Sequence, residues 1–320
     1  MSQGKFLIID GNNLFHRAYH ALPPLTTKDG LNSNAVYGFS NMLLKAIAEV
    51  QPQYIACAFD TKAPTFRHVE FEGYKAQRKA PPEDLYPQLP KIKSVLGAFG
   101  IVYFEKEGYE ADDLLGTLTA KALSQVEQII ILTGDRDALQ LVNGKVKVQM
   151  PGWNLASTSL FGSAEVKEKY GLTPAQMIDY KSLIGDASDN IPGIAGIGPK
   201  TASVLLNKYE TLENLYEHVG EVDLKIREKL ESGKHNALAA KSLVEIDCDV
   251  DIDFDLERLE FKPDWNQVRN EYIKLGFKSI VAKIDADEGT KVPQVKDSGG
   301  SGASEEGLEE SDSSDQLKLI

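Results

Sequence analysis

Cysteine is nearly absent: the 320 residues hold two, Cys57 and Cys248, far apart in the chain. Two cysteines build no disulfide framework, and no Cys/His spacing here suits zinc. Cys57 lies in the apolar run YIACAFD and reads as a core residue. No apolar run approaches membrane-spanning length. The opening MSQGKFLIID enters a strand pattern directly and has no secretory signal. A cytoplasmic location is the expectation. No Ser–His–Asp arrangement stands out either. Positive charge is also short, with a net charge of −13. That balance argues against a nucleic-acid partner until it is divided along the chain. Residues 285–320 hold ten acids against three bases, or −7, which leaves −6 for residues 1–284. Nine acids of that remainder are candidates for one cluster, and without them the body is +3. The distribution of charge, rather than its total, decides the partner.

What is present is a β–α rhythm. Apolar runs at 6–10 (FLIID), 54–60 (YIACAFD), 101–104, 128–135 (QIIILTGD) and 146–150 read as buried strands. Helical patterns at 12–21, 34–50, 92–99 and 110–124 fall between them. This alternation predicts an α/β fold, a mostly parallel sheet with helices on both faces. From Gly162 onward short helices take over, at 164–170, 174–184, 211–219, 236–245 and 264–274. Beyond Lys283 periodicity fades, and the GGSGAS stretch and the acids after it are expected to be disordered.

Asp10, Asp60 and Asp135 each follow a separate buried run. In a parallel sheet that end of the strands is where ligands bind. GYEADD (108–113) adds Glu110, Asp112 and Asp113 at a helix start on the same rim. Taken alone, those three form an ordinary acidic first turn. With Asp137, Asp186 and Asp189 they make nine carboxylates, which would repel each other and raise their own pKa values. Divalent cations remove that conflict, and an all-oxygen set favours Mg²⁺ or Mn²⁺ over zinc. Two such ions about 3.5–4 Å apart serve phosphodiester hydrolysis. His16 and His20 have metal-compatible spacing, lack a third ligand, and read as plain helix residues.

GIAGIGPKTA (193–202) places Gly193, Gly196 and Gly198 before Pro199, Lys200 and Thr201. Proline suits the first helical position. The free N–H groups of that helix start, with Lys200 beside them, suit a backbone phosphate. Pro199 breaks the order of a P-loop, and 186–193 lacks the closing glutamate of a calcium loop.

IIDGNN (8–13), AFD (58–60), FRH…YKAQRKAPP (66–82), GYEADD, TGDRDALQL (133–141) and GDASDNIPGIAGIGPKTA (185–202) occur in that order. Over roughly 5–280 the chain closely resembles the 5′→3′ exonuclease domain of bacterial DNA polymerase I, in the flap endonuclease family. The resemblance implies a PIN-like catalytic domain at 1–172 with a helical arch at about 61–93. It implies a helix–three-turn–helix and helical domain at 173–284; the acidic tail at 285–320 is where the chain departs from the family. It implies two Mg²⁺ or Mn²⁺ on the nine carboxylates and K⁺ near 193–198. Its substrates would be DNA with 5′ flaps, nicks or gaps and RNA–DNA primer junctions, with a DNA polymerase in cis or trans. Within the arch, seven bases stand against four acids. There Lys75 and Arg78 would stabilise charge on the scissile phosphate. Tyr74, Arg67 and, more weakly, Arg17 would contact DNA, with aromatic faces stacking on bases. A PIN-type ribonuclease would need neither the 185–202 turn nor the arch. A binding protein without turnover would be expected to have lost acids, and none is missing.

Overall fold

A computed structural model describes residues 4–26, 30–152 and 157–286. Strands β1 (Lys5–Asp10), β2 (Tyr54–Ala58), β3 (Val102–Phe104), β4 (Gln128–Leu132) and β5 (Val146–Pro151) pair in parallel in the order β3-β2-β1-β4-β5. An antiparallel β6 (Thr158–Phe161) closes the edge. Because the order turns back at β1, the crevice between β1 and β4 opens at their carboxyl ends.

Each central strand is buried on both faces. Phe6 and Ile8 of β1 join one core, while Leu7 and Ile9 join the other. In β4, Ile129 and Ile131 alternate in the same way with Ile130 and Leu132. Cys57 is buried in the second core. Helices α1 (Gly11–Ala21), α2 (Asn34–Val50) and α4 (Leu89–Ala98) cover that second face. The short α3 (Phe66–Glu70) lies in the segment expected to form a helical arch, where residues 71–85 are turns and irregular backbone. Helix α5 (Ala111–Ala122) covers the first face with Leu114, Leu115 and Leu118. Each such fully buried side chain contributes about 1.5–3 kcal/mol.

The helical region runs through α6 (Ser163–Tyr170), α7 (Gln176–Ile184), a two-residue hairpin of β7 (Gly185–Asp186) and β8 (Ile191–Pro192), α8 (Pro199–Tyr209) and α9 (Leu212–Glu217). It continues into α10 (Leu224–Val244), α11 (Trp265–Leu275) and α12 (Lys278–Ala286). The last two return to the second core through Val268, Tyr272, Ile280 and Ile284.

Helix α10 starts twelve residues before the expected 236. Its first half is mostly exposed, with Leu230 and Gly233 as its buried residues, so apolar spacing is too sparse to read. Strand β6 was not expected, because its exposed Ser159 and Leu160 break the inward–outward alternation. Helix α12 extends through Asp285 and Ala286, which the expected tail had claimed. The expected disorder from 287 onward lies outside the described residues.

Candidate active site

The carboxyl ends of β1, β2 and β4 are stitched together by side chains. Asp10 ends β1 and caps α1, its Oδ1 accepting the Asn13 N–H at 2.9 Å. Its Oδ2 accepts the Thr133 hydroxyl at 2.7 Å. Thr133 Oγ1 in turn accepts the Asp135 N–H at 3.0 Å. Asn13 Oδ1 accepts the Gly134 N–H at 2.7 Å, which ties the loop after β4 to α1. Asp60 joins two helix starts: it accepts the Ala111 N–H of α5 at 2.7 Å and the Asn12 amide of α1 at 2.8 Å. Asp137 donates its N–H to Asp135 at 2.9 Å.

These acids also act on one another's charge. Burial pushes Asp10 up to about 7; Thr133 and Asn13 pull it back, and Asp60 and Asp135 push it further. Burial also holds Asp112 well above the usual carboxylate range, with Asp135, Asp10 and Glu110 adding repulsion. Desolvation raises Asp60 as well, with Glu110 adding to it. Asp137 rises to about 7 through burial, against the pull of Lys181 and with Asp135 and Asp186 opposing its charge. Asp112 has no hydrogen-bond donor among the described residues, a costly state for a half-buried carboxylate.

Two ammonium groups stand among the acids. Lys75 Nζ reaches Glu110 at 2.6 Å and Asp189 at 3.8 Å. Lys181 Nζ pairs with Asp137 and, at 2.6 Å, with Asp186. Burial disfavours charge on Asp186, yet Lys181 and Ser188 outweigh it and hold the acid at about 2. Arg78 Nη2 meets Asp189 at 2.6 Å. Lys75 and Asn190 both have left-handed backbone, at φ 55 and 58°. They lock together: the Lys75 N–H donates to the Asp189 carbonyl at 2.9 Å, and the Asn190 amide to the Gly73 carbonyl at 2.7 Å. Residues 73–75 thus rest on the β7–β8 turn.

A hard divalent ion fits this donor set in chemistry: oxygen ligands only, mutual repulsion, and an unpartnered Asp112. Among the described residues, however, no three His, Cys, Asp or Glu side chains already close around a single ion position.

Several expected site residues do other work. Asp113 is fully buried, and its two oxygens take Arg67 Nη1 and Nη2, both at 2.8 Å. It also accepts the N–H groups of Glu110 and Asp247, at 3.0 Å each. Fully buried and paired with a guanidinium, Asp113 is turned into the protein, and it is left out of the ion ligands proposed below. Arg67 is 2% exposed and also donates to the Leu243 and Glu245 carbonyls, so it is no DNA contact. Tyr74 is 3% exposed, too deep to stack on a base. Its one hydroxyl hydrogen is shared between Glu110 at 3.0 Å and Asp189 at 3.2 Å. Arg17 is half-buried beside Gly134, and its Nε has no partner among the described residues.

In the turn before α8, Gly193 is needed for a reason other than DNA approach. A Cβ there would sit 2.2–2.5 Å from the Ile184 and Gly185 backbone. Gly193→Ala is expected to force β7 and β8 apart and lower the melting temperature by about 5 °C or more. An unchanged melt would show that the crossing is loose. Gly196 has φ +80°, and Gly198 precedes Pro199, the first residue of α8. Ala202 is the first amide of that helix to find a backbone acceptor, the Gly198 carbonyl at 3.0 Å. The Lys200 and Thr201 N–H groups precede the first backbone bond of the helix and lie beside the exposed Lys200 side chain.

The residues sequence reading did not single out are Asn12, Asn13, Thr133, Ser188 and Lys181. Asn12 and Asn13 were visible in IIDGNN, directly after an acid at a strand end. Lys181 had no such signal, since it lies inside a helix one turn before Gly185.

A parallel sheet whose carboxyl rim gathers acids from three strands and a helix start, followed by a helix–hairpin–helix unit, defines a resolvase-like, PIN-like nuclease fold. Residues 5–171 match the family model described as 5′-3′ exonuclease, N-terminal resolvase-like domain, and residues 172–267 match its C-terminal SAM fold. The chain belongs to the 5′-3′ exonuclease family. It is 43% identical over 288 residues to DNA polymerase I of Caldicellulosiruptor bescii, covering 89% of this chain and 34% of that protein. The Bacillus subtilis DNA polymerase I is 40% identical over 285 residues, covering 88% and 32%. The chain therefore spans about a third of the length of these relatives. Among solved structures, T5 5′-exonuclease with bound zinc superposes with TM-score 0.64 at 18% identity, over 88% of this chain and 97% of that one. The catalytic core of Rad2 in complex with DNA substrate gives 0.54 at 16%, over 86% and 88%.

Proposed function

We propose that this chain is a structure-specific 5′→3′ exonuclease and flap endonuclease that hydrolyses DNA phosphodiesters at 5′ flaps, nicks and gaps. RNA–DNA primer junctions would be substrates of the same kind, and a DNA polymerase, in cis or trans, its partner in primer removal and repair. A cytoplasmic, nucleoid-associated location belongs to the same reading. The observation that carries it is the convergence of Asp10, Asp60, Glu110, Asp112 and Asp135 on one rim, with Lys75 and Arg78 above them.

Asp10, Asp60, Glu110, Asp112 and Asp135 would hold one divalent ion, and Asp137, Asp186 and Asp189 a second, Mg²⁺ or Mn²⁺ in each place. Bound there, such ions supply an activated water and charge neutralisation at the phosphate. The chain's own residues prepare that site. Thr133, Asn12 and Asn13 fix carboxylate directions before any ion arrives. Lys75 and Arg78 present positive charge where the scissile phosphate gains negative charge. The N–H groups of Lys200 and Thr201, with the Gly196–Gly198 backbone, would grip one duplex strand without reading sequence. Potassium in that turn would share the Gly196 carbonyl with Lys229, whose Nζ lies 3.1 Å away. The domain limits proposed from sequence, 1–172 and 173–284, place the acids on both sides of the join.

A labelled 5′-flap duplex incubated with Mg²⁺ should be cut near the junction, and a chelator should stop it. Tight binding with no product at any divalent concentration would overturn the reading. Lys200→Ala should weaken duplex binding equally for all sequences and reduce the slope of log affinity against log salt by about 1. An effect that differs between sequences would contradict phosphate contact.

A further inference from the structure

Lys181 belongs to no part of the reading above, yet it occupies the centre of one acid pair. It sits in the last turn of α7, five residues before Asp186. Its ammonium lies between Asp137, which follows β4, and Asp186 of β7. Its side chain is 18% exposed, so the charge is only partly screened by water. The two oxygens of Asp186 are both used: Oδ2 by Lys181, and Oδ1 by the Ser188 N–H and hydroxyl at 2.8 and 2.6 Å. Asp112, Asp10 and Asp60 have no such internal cation in contact. Among the acids proposed for the first ion the one paired acid is Glu110, which meets Lys75 at the margin of that set, whereas Asp137 and Asp186 share a single ammonium between them.

We propose that Lys181 is a positioning residue that sets the affinity of the second divalent ion. Its ammonium holds Asp137 and Asp186 together and competes with the ion for them. This rests on the two-ion reading given above. One ion then binds tightly at the acids of β1, β2 and α5. The other binds only where it displaces an ammonium from two carboxylates, and so needs a higher concentration. An ordinary helix-end ion pair is the plainer account of Lys181. It predicts a stability cost on removal and no change in ion affinity.

The two accounts separate by counting bound Mn²⁺ on the whole chain, from the paramagnetic resonance of free Mn²⁺ during titration, with no substrate present. The wild-type chain should show two classes of site. In Lys181→Met the weaker class should tighten about tenfold or more, because a full positive charge has left its ligands. Lys181→Gln, which keeps a neutral donor, serves if the Met variant does not fold, and should shift the same way. Lys181→Arg should restore the weak class. The Mg²⁺ concentration that half-saturates flap cleavage should fall in parallel. Two sites of unchanged affinity in the Met and Gln variants would overturn the role given to Lys181 and leave the two-ion reading standing. No bound Mn²⁺ in any of the proteins would overturn that reading, and this inference with it.

Discussion

Asp10→Asn is expected to lower flap cleavage by roughly 10³-fold while making the ion-free protein more stable at pH 8. The two effects share a cause. Asp10 is 4% exposed, and burial lifts its pKa from the ordinary 3.8 to about 7 in the folded chain. A group whose folded pKa is raised binds more protons in the native state over that range. Its contribution to stability is thus complete below pH 3.8 and lost as pH climbs through about 7. At pH 8 the folded wild-type chain carries a buried charge beside Asp60 and Asp135 that the unfolded chain solvates freely. Asparagine keeps the shape and an acceptor for the Asn13 N–H, and removes the charge. The expected gain at pH 8 in chelator is about 2–4 kcal/mol. It should vanish near pH 4, where the wild-type carboxyl is protonated. Adding Mg²⁺ should raise the wild-type melting temperature and barely move the variant's. Urea melts at pH 4 and pH 8, with and without Mg²⁺, test this directly. A variant less stable than wild type at pH 8 in chelator, with cleavage intact, would show that Asp10 is a structural cap of α1 and nothing more.

The parallel sheet was legible because its strands are buried on both faces. Runs such as FLIID and QIIIL have no other good home in a soluble fold, and the acids that follow them mark the same rim. Helix α10 was half illegible because its first turns touch little apolar surface, and β6 because an edge strand of four residues has no alternation to show. The acid rim was legible as a set, but composition could not say which acids face an ion. Asp112 and Asp113 are adjacent and chemically identical. One turns toward the crevice without a donor, and the other turns into the protein against Arg67. That choice depends on where residues 67 and 243–247 arrive in space, which no local pattern encodes. Arg67 and Tyr74 misled for a related reason. A basic, aromatic stretch reads as a nucleic-acid surface, yet here two of its most characteristic side chains are anchors. They fasten the foot of the arch to α5 and the β7–β8 turn, and leave Arg78 half-exposed at the edge.

That anchoring makes Arg67→Ala a strongly destabilising change. Arg67 donates to Asp113 through two parallel bonds and to two carbonyls at the end of α10. It joins three segments far apart in the chain: the arch, α5 and the stretch after Val244. Removing one member of a buried pair strands the other's charge, a loss of about 3–5 kcal/mol. For a chain of this size that is a melting-point drop of about 10 °C. Asp113→Ala should cost as much, leaving a guanidinium buried and the Glu110 and Asp247 amides without an acceptor. The two losses should not add. The paired change Arg67→Met with Asp113→Leu should recover part of the stability, since no charge is left unpaired. A DNA contact behaves otherwise. Loss of a surface arginine would leave the melt unchanged and flatten the salt dependence of binding. The double-mutant cycle in melting temperature, set beside duplex affinity below the transition, separates the two. If Arg67→Ala melts like wild type and binds DNA weakly, the buried pair is not what holds the arch to the sheet. The arch must then be carried by Tyr74, Lys75, Arg78 and the contacts of Gly73 and Gln77 with Asn190.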